Sequence, residues 1–273
     1  MKPTLFTFVL SLAALPVLAA AQDQAELPPQ TAADPAPAGR PASAAPAAEQ
    51  DPTLAKLKNL KPDDLEKVKK AINDASNFVG GIRLQEALQS LAEAEAIVPD
   101  LFMVHNLKGA VYTKMRLFDD ARTSFTQAGQ LNPGSFHPKF NLAEIEFVEA
   151  ASKVRSGDTD GAKALFASAQ KQFASLIQDK TDEGTKKLME FKVVICQLQQ
   201  GQSEAAQKSV SAFSYIDDEP VYYLGHAAIE FNKGDKIAAQ EWLDSANRIY
   251  TAQQVTIYMD SFIEIGWVET LAL

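Results

Sequence analysis

Residues 109–133 read GAVYTKMRLFDDARTSFTQAGQLNP, a pattern of two short amphipathic helices joined by a tight turn. Small residues stand at Gly109, Ala121 and Ala128, where two helices must approach closely. Tyr112 and Phe125 supply interlocking bulk, and Pro133 closes the unit. Moving back 34 residues, the same types recur as Ala75, Phe78, Ala87, Leu91, Ala94 and Pro99. A helix–turn–helix unit at that period implies an array in which each unit buries its apolar face against its neighbours.

On these residues the chain resembles the tetratricopeptide repeat (TPR) family. The resemblance implies an all-α superhelix, a solenoid of about five helix pairs plus a C-terminal helix. The first repeat spans roughly 68–101, and its leading helix starts near Pro62, where proline and Asp63-Asp64 suit a first turn. Gly80-Gly81 is expected to break that helix, and Leu54, Leu57 and Leu60 offer an apolar stripe ahead of it. The second repeat, about 102–135, carries His105 where the family often has Trp. In the third, Ala143 and Ala162 stand 19 residues apart where Gly109 and Ala121 stand 12 apart. The extra residues lengthen either the first helix or the turn. The fourth repeat is degenerate, pairing 186–200 with 203–215, and the fifth begins near Pro220 and turns at Gly234-Asp235. The repeat domain is thus read as 53–252, and 253–273 as a C-terminal capping or interaction helix.

Outside the repeats, residues 1–21 read as a signal peptide: Lys2, an apolar run from Leu5 to Leu18, then Ala19-Ala20-Ala21 with cleavage before Gln22. The run is short for a membrane span, which needs roughly 20 residues. An uncleaved anchor is the competing reading. Residues 22–52 hold seven prolines and a single large apolar side chain, Leu27. Such a segment cannot offset its ordering entropy by burial and is expected to be a disordered Pro/Ala-rich linker. The expected location is the bacterial periplasm.

The chain is acidic, with a net charge of −9 and no basic cluster, which argues against nucleic-acid or anionic-lipid partners. No nucleophile elbow, zinc-protease motif, phosphate loop or paired-cysteine spacing is present, so neither an enzyme nor a cofactor is expected. The lone Cys196 sits in an apolar helical pattern and reads as a small buried hydrophobe. Asp158, Asp160 and Gly161 lack the downstream Glu of a calcium loop. The histidines, His105, His137 and His226, make a poor metal set.

The family resemblance implies that the first helix of each pair lines a groove that receives a partner segment. Carried onto this sequence, the groove positions are Met103 and Asn106, then His137, Phe140, Glu144 and Phe147. Phe191, Ile195 and Leu198 follow in the fourth repeat, and Leu224 and Phe231 in the fifth. Their apolar character favours a helical or hydrophobic peptide from another protein. Two arrangements fit: an open groove, or one covered by the chain's own last helix. The tail, ending WVETLAL, offers Trp267, Leu271 and Leu273 for self-association as an alternative.

Overall fold

The positions that repeat at 34 residues become close contacts between antiparallel helices. A Cβ built on Gly109 would lie 2.6 Å from the ring carbons of Phe125, so no larger residue fits between the two helices. The computed structural model of the chain describes residues 51–177, 182–216 and 219–269. The signal-peptide reading, nearly all of the linker reading, Leu271 and Leu273 lie outside the described residues.

Every regular element among the described residues is helical. A 3-10 helix, Pro52–Asn59, is capped by Asp51 and leads into α1 (Pro62–Gly80). Five hairpins follow in chain order: α1 with α2 (Leu84–Ile97), then α3 (Phe102–Lys114) with α4 (Phe118–Leu131). α5 (Phe136–Ser156) pairs with α6 (Thr159–Leu176), and α7 (Glu183–Gln199) with α8 (Ser203–Val210). α9 (Val221–Lys233) pairs with α10 (Lys236–Ile249), and α11 (Ala252–Ile265) comes last.

One left-handed residue turns each hairpin: Ile82, Arg116, Gly157, Gly201 and Gly234, with φ between 58° and 84°. Glycine takes this conformation at no steric cost, whereas at Ile82 and Arg116 it comes with a backbone bond across the turn, from the Arg83 amide to Phe78 O at 2.8 Å and from the Leu117 amide to Tyr112 O at 2.9 Å. The first hairpin breaks at Gly80-Gly81, where the sequence predicts it. α1 runs through Gly80, Gly81 keeps φ −84°, and the left-handed turn falls on Ile82.

The insertion in the third repeat lengthens the helix rather than the turn: α5 has 21 residues where α3 and α9 have 13. Asp158 caps α6 by accepting from the Gly161 amide at 3.0 Å, which is the role of that acidic turn. Asp182 caps α7 likewise, so that helix starts three residues earlier than the sequence suggested. α8 stops at Val210 instead of continuing to Tyr215. Gly266, at φ 83°, ends α11 and folds Trp267 back, its amide donating to Phe262 O at 2.9 Å.

The core forms one large cluster over the last three repeats and α11, and another over the first two repeats. A small group of Ala110, Ala121, Phe125 and Ile145 lies where the second repeat meets the third. Thr53 ties the 3-10 helix to the second repeat, its hydroxyl accepting from the Phe102 amide at 3.1 Å.

Candidate functional site

α11 is apolar at Val255, Tyr258, Met259, Phe262 and Ile265, spaced three and four residues apart. A helix at a solvent-facing end would be polar on one side of that stripe and pay for exposing it. Here the stripe is buried, because α11 lies along α5, α7 and α9, the first helices of the last three repeats. The first helices of the last three repeats are therefore covered by the chain's own last helix.

Aromatic rings make the apolar contact. Phe191 on α7 meets Tyr258 edge-on at 5.3 Å and Phe262 at 5.5 Å between centroids. Phe231 on α9 packs on Phe262 at 5.4 Å and stacks on Trp267 at 5.7 Å. Such pairs add about 0.5–1.5 kcal/mol each beyond the area they bury. Ile195, Leu198 and Leu224 belong to the same buried cluster.

Charges set the register. Lys192 on α7, only 3% exposed, donates to Glu144 Oε1 on α5 at 3.0 Å and to Ser261 Oγ on α11 at 3.1 Å. Its ammonium also stands 4.6 Å from the centre of the Phe147 ring. Glu264, also 3% exposed, accepts two bonds from Arg116 Nη2 at 2.9 and 3.0 Å. Arg155, at the end of α5, donates to the Glu264 carbonyl. Burial pushes the Lys114 ammonium down to about 8, against the pull of Asp260 and Glu264. Burial, reinforced by Glu219, lifts the Tyr258 hydroxyl above its ordinary value, and that hydroxyl donates to Glu219 at 3.4 Å.

The remaining groove positions are held by other neighbours. Phe140 faces Phe173 at 5.7 Å and Phe147 faces Phe166 at 5.6 Å, so both rings are shared with α6. Residues 140, 143, 147 and 151 form one buried stripe of α5, the one that closes the hairpin. Met103 lies in the N-terminal core, and Asn106 Oδ1 accepts from Asn141 at 3.1 Å. His137 is half-buried beside Phe136, its pKa lowered by burial. Lys192, Arg116, Arg155, Ser261 and Glu264 were not among the sequence candidates. The signal for two of them was a charge inside an apolar helical run: Lys192 in FKVVICQL and Glu264 in FIEIGW.

The other reactive groups are packed away. Cys196 is fully buried and its thiol is pushed well above its usual value by burial. His226 stacks on Trp242 at 4.5 Å, and His105 Nε2 lies 3.7 Å from Glu95. Among the described residues no group of three His, Cys, Asp or Glu is placed to hold a metal, and no helix is long and apolar enough to cross a membrane.

Five antiparallel hairpins, each turned by one left-handed residue, with Gly109 beneath Phe125 in the best-formed unit, decide the architecture. The chain has the tetratricopeptide-repeat fold. No protein-family model matches its sequence, and no curated protein sequence does. Among solved structures it is similar to a tetratricopeptide repeat protein from Parabacteroides merdae, at 14% identity and TM-score 0.49, over 71% of each chain. It is also similar to YrrB, a TPR protein with an unusual peptide-binding site, at 16% identity and TM-score 0.37, over 69% of this chain and 89% of that one. A third is PilW, a type IV pilus biogenesis factor, at 17% identity and TM-score 0.45, over 77% and 89%. In this array the first helices of the last three repeats already hold a helix against them.

Proposed function

We propose that this chain is a non-enzymatic protein-interaction scaffold of the bacterial cell envelope, exported by the segment 1–21, that takes up a helical partner segment on the inner face of its array. The observation that supports this reading is the seat of α11. Phe191, Phe231 and Lys192 engage an amphipathic helix through aromatic contacts and charge-assisted hydrogen bonds, which is the chemistry of helix-in-groove recognition. The acidic surface and the absence of catalytic motifs leave protein or peptide as the partner class.

The test uses the full chain with α11 loosened by Phe262→Ala, or more mildly by Glu264→Gln. Circular dichroism first establishes that each variant is folded. A fluorescent peptide of residues 252–269 is then titrated in and followed by anisotropy. Saturable one-to-one binding to a loosened chain, weaker in the wild type where tethered α11 competes at an effective concentration on the order of millimolar, is the expected result. No saturable binding to either folded variant would remove the inner face as a partner site. Export is tested separately by fractionation, with a mature N-terminus at Gln22 expected in the periplasmic fraction and an intact N-terminus contradicting it.

A further inference from the structure

The fourth repeat leaves one flank of the fifth short of cover. Its second helix, α8, has eight residues, where α2, α4 and α10 have 14 and α6 has 18. The chain meets α9 as α8 ends: a Cβ built on Gly225 would lie 3.0 Å from the Phe213 ring and 3.3 Å from Val210. Past that contact the flank is made of rings. Tyr222, one turn before Gly225, is the hub, with centroid distances of 5.1 Å to Tyr223, 4.8 Å to His226 and 6.0 Å to both Tyr215 and Trp242. Tyr222, Tyr223, His226 and Trp242 are only partly buried, while Tyr215 and Ile216 are 67% and 78% exposed. This surface is not the seat of α11. Phe231, which meets α11, lies five residues after His226 and so about 140° around α9.

We propose that this ring surface docks the chain's own proline-rich segment, residues 27–48, as a polyproline II strand. Rings at mixed angles offer faces for proline side chains, and tyrosine hydroxyls and the indole N–H offer donors. A polyproline II strand has no internal hydrogen bonds, so its carbonyls take such donors readily. The segment carries Pro28, Pro29, Pro35, Pro37, Pro41 and Pro46, and its two charges, Asp34 and Arg40, cancel. It can therefore lie on rings with little charge to desolvate. Its length suits the span. Pro35 stands 16 residues before Asp51, where the described chain begins, which is about 50 Å as polyproline II. Four repeat steps of about 10 Å each put the fifth repeat on the order of 40 Å from the first. Tethering supplies an effective concentration on the order of millimolar, so modest ring contacts hold the segment in place. The ring surface and the seat of α11 are separate, and either role can fail alone.

The experiment labels the full chain with 5-fluorotryptophan, which gives one fluorine signal from Trp242 and one from Trp267. Replacing Pro35, Pro37 and Pro41 together by Ser is expected to move the Trp242 signal and to leave that of Trp267, stacked on Phe231, in place. A synthetic peptide of residues 27–48, titrated into that variant, is expected to bind saturably and return the Trp242 signal to its wild-type position. The same peptide with Ser at the three prolines is expected not to. Tyr222→Ala, and Tyr215→Ser at an exposed side chain that the core does not use, should each weaken the peptide by at least about fivefold. An unmoved Trp242 signal in the proline variant, or no saturable binding of the peptide, overturns the proposal. A wild-type Trp242 signal that shifts on dilution, with dimers in light scattering, overturns it in favour of a second copy on the same surface. If Tyr222→Ala does not fold, Tyr215→Ser decides alone.

Discussion

Lys192 Nζ reaches Ser261 Oγ at 3.1 Å while also holding Glu144 Oε1 at 3.0 Å, so one ammonium joins α7, α5 and α11. The lysine side chain is 4% exposed and that of Glu144 14%, which makes this a buried pair in a ring-lined site. The pair sets where α11 sits along the array, because sliding the helix by one residue removes Ser261 from reach.

Replacing Lys192 by Ala leaves Glu144 buried without its cation. The expected cost is about 3 kcal/mol in urea unfolding. The double change Lys192→Met with Glu144→Leu should recover most of that loss, since two apolar side chains need no mutual compensation. A double variant as unstable as the single one would show that the charge pair is not what the site depends on.

Gly109→Ala places a methyl group 2.6 Å from the Phe125 ring. Overpacking of this kind costs about 1–3 kcal/mol, which outweighs the roughly 0.5–1 kcal/mol that Ala gains over Gly in a helix. A lower urea midpoint at unchanged slope is expected. Following it with Phe125→Leu should restore part of the loss, because the smaller side chain makes room.

Ile82 gives the opposite sign. It is a β-branched residue at φ 58° and 40% exposed, so it carries backbone strain without deep burial. Ile82→Gly should stabilise the chain by about 1 kcal/mol, most of the left-handed penalty for an L-residue. Calorimetry reads this as a rise in Tm, and a fall would show that the exposed side chain contributes more than the strain it imposes.

The pH dependence has two windows. Burial lowers the pKa of His105, His137 and His226 below 6.5 in the folded chain. The unfolded state then binds more protons as pH falls through 6.5, so stability present above that value is lost on acidification. Lys114, at about 8 when folded and 10.5 in its ordinary state, acts in the alkaline range. Between those values the unfolded chain again binds more protons, so this group adds stability as pH rises. Wild type should gain on Lys114→Met between pH 8 and 10, and a constant difference would contradict the shift.

Cys196 should resist a thiol reagent in the native chain and react at the rate of global unfolding, because its thiol is fully buried and held protonated by burial. Rapid stoichiometric labelling of the folded protein would contradict its packing.

Much of this fold was legible because the hairpin contacts recur with small side chains at fixed spacing: Ala75 and Ala87, Gly109 and Ala121, Ala143 and Ala162. The long α5 was foreshadowed by the widened spacing of the last pair, although whether helix or turn absorbed it was a matter of packing. The break at Gly80-Gly81 was legible from glycine's low helix propensity, and only the left-handed residue at Ile82 carried no local signal. The candidate site was legible in its rings, Phe191 and Phe231, which repeat the family's helix positions. Phe140 and Phe147 fall on the hairpin side because they lie three residues before and four after Ala143, on the stripe that meets α6. The cations were missed because Lys192 and Arg116 acquire their meaning from Ser261 and Glu264, 69 and 148 residues later in the chain.

The central claim is that α11 packs as core across the first helices of the last three repeats, and hydrogen exchange of the native full chain tests it most directly. The amides of Tyr258 to Ile265 should exchange orders of magnitude more slowly than in an isolated peptide of residues 252–269, and Arg116→Gln should reduce that protection while leaving α3 and α4 unaffected. Exchange of those amides at the rate of the free peptide would contradict the account.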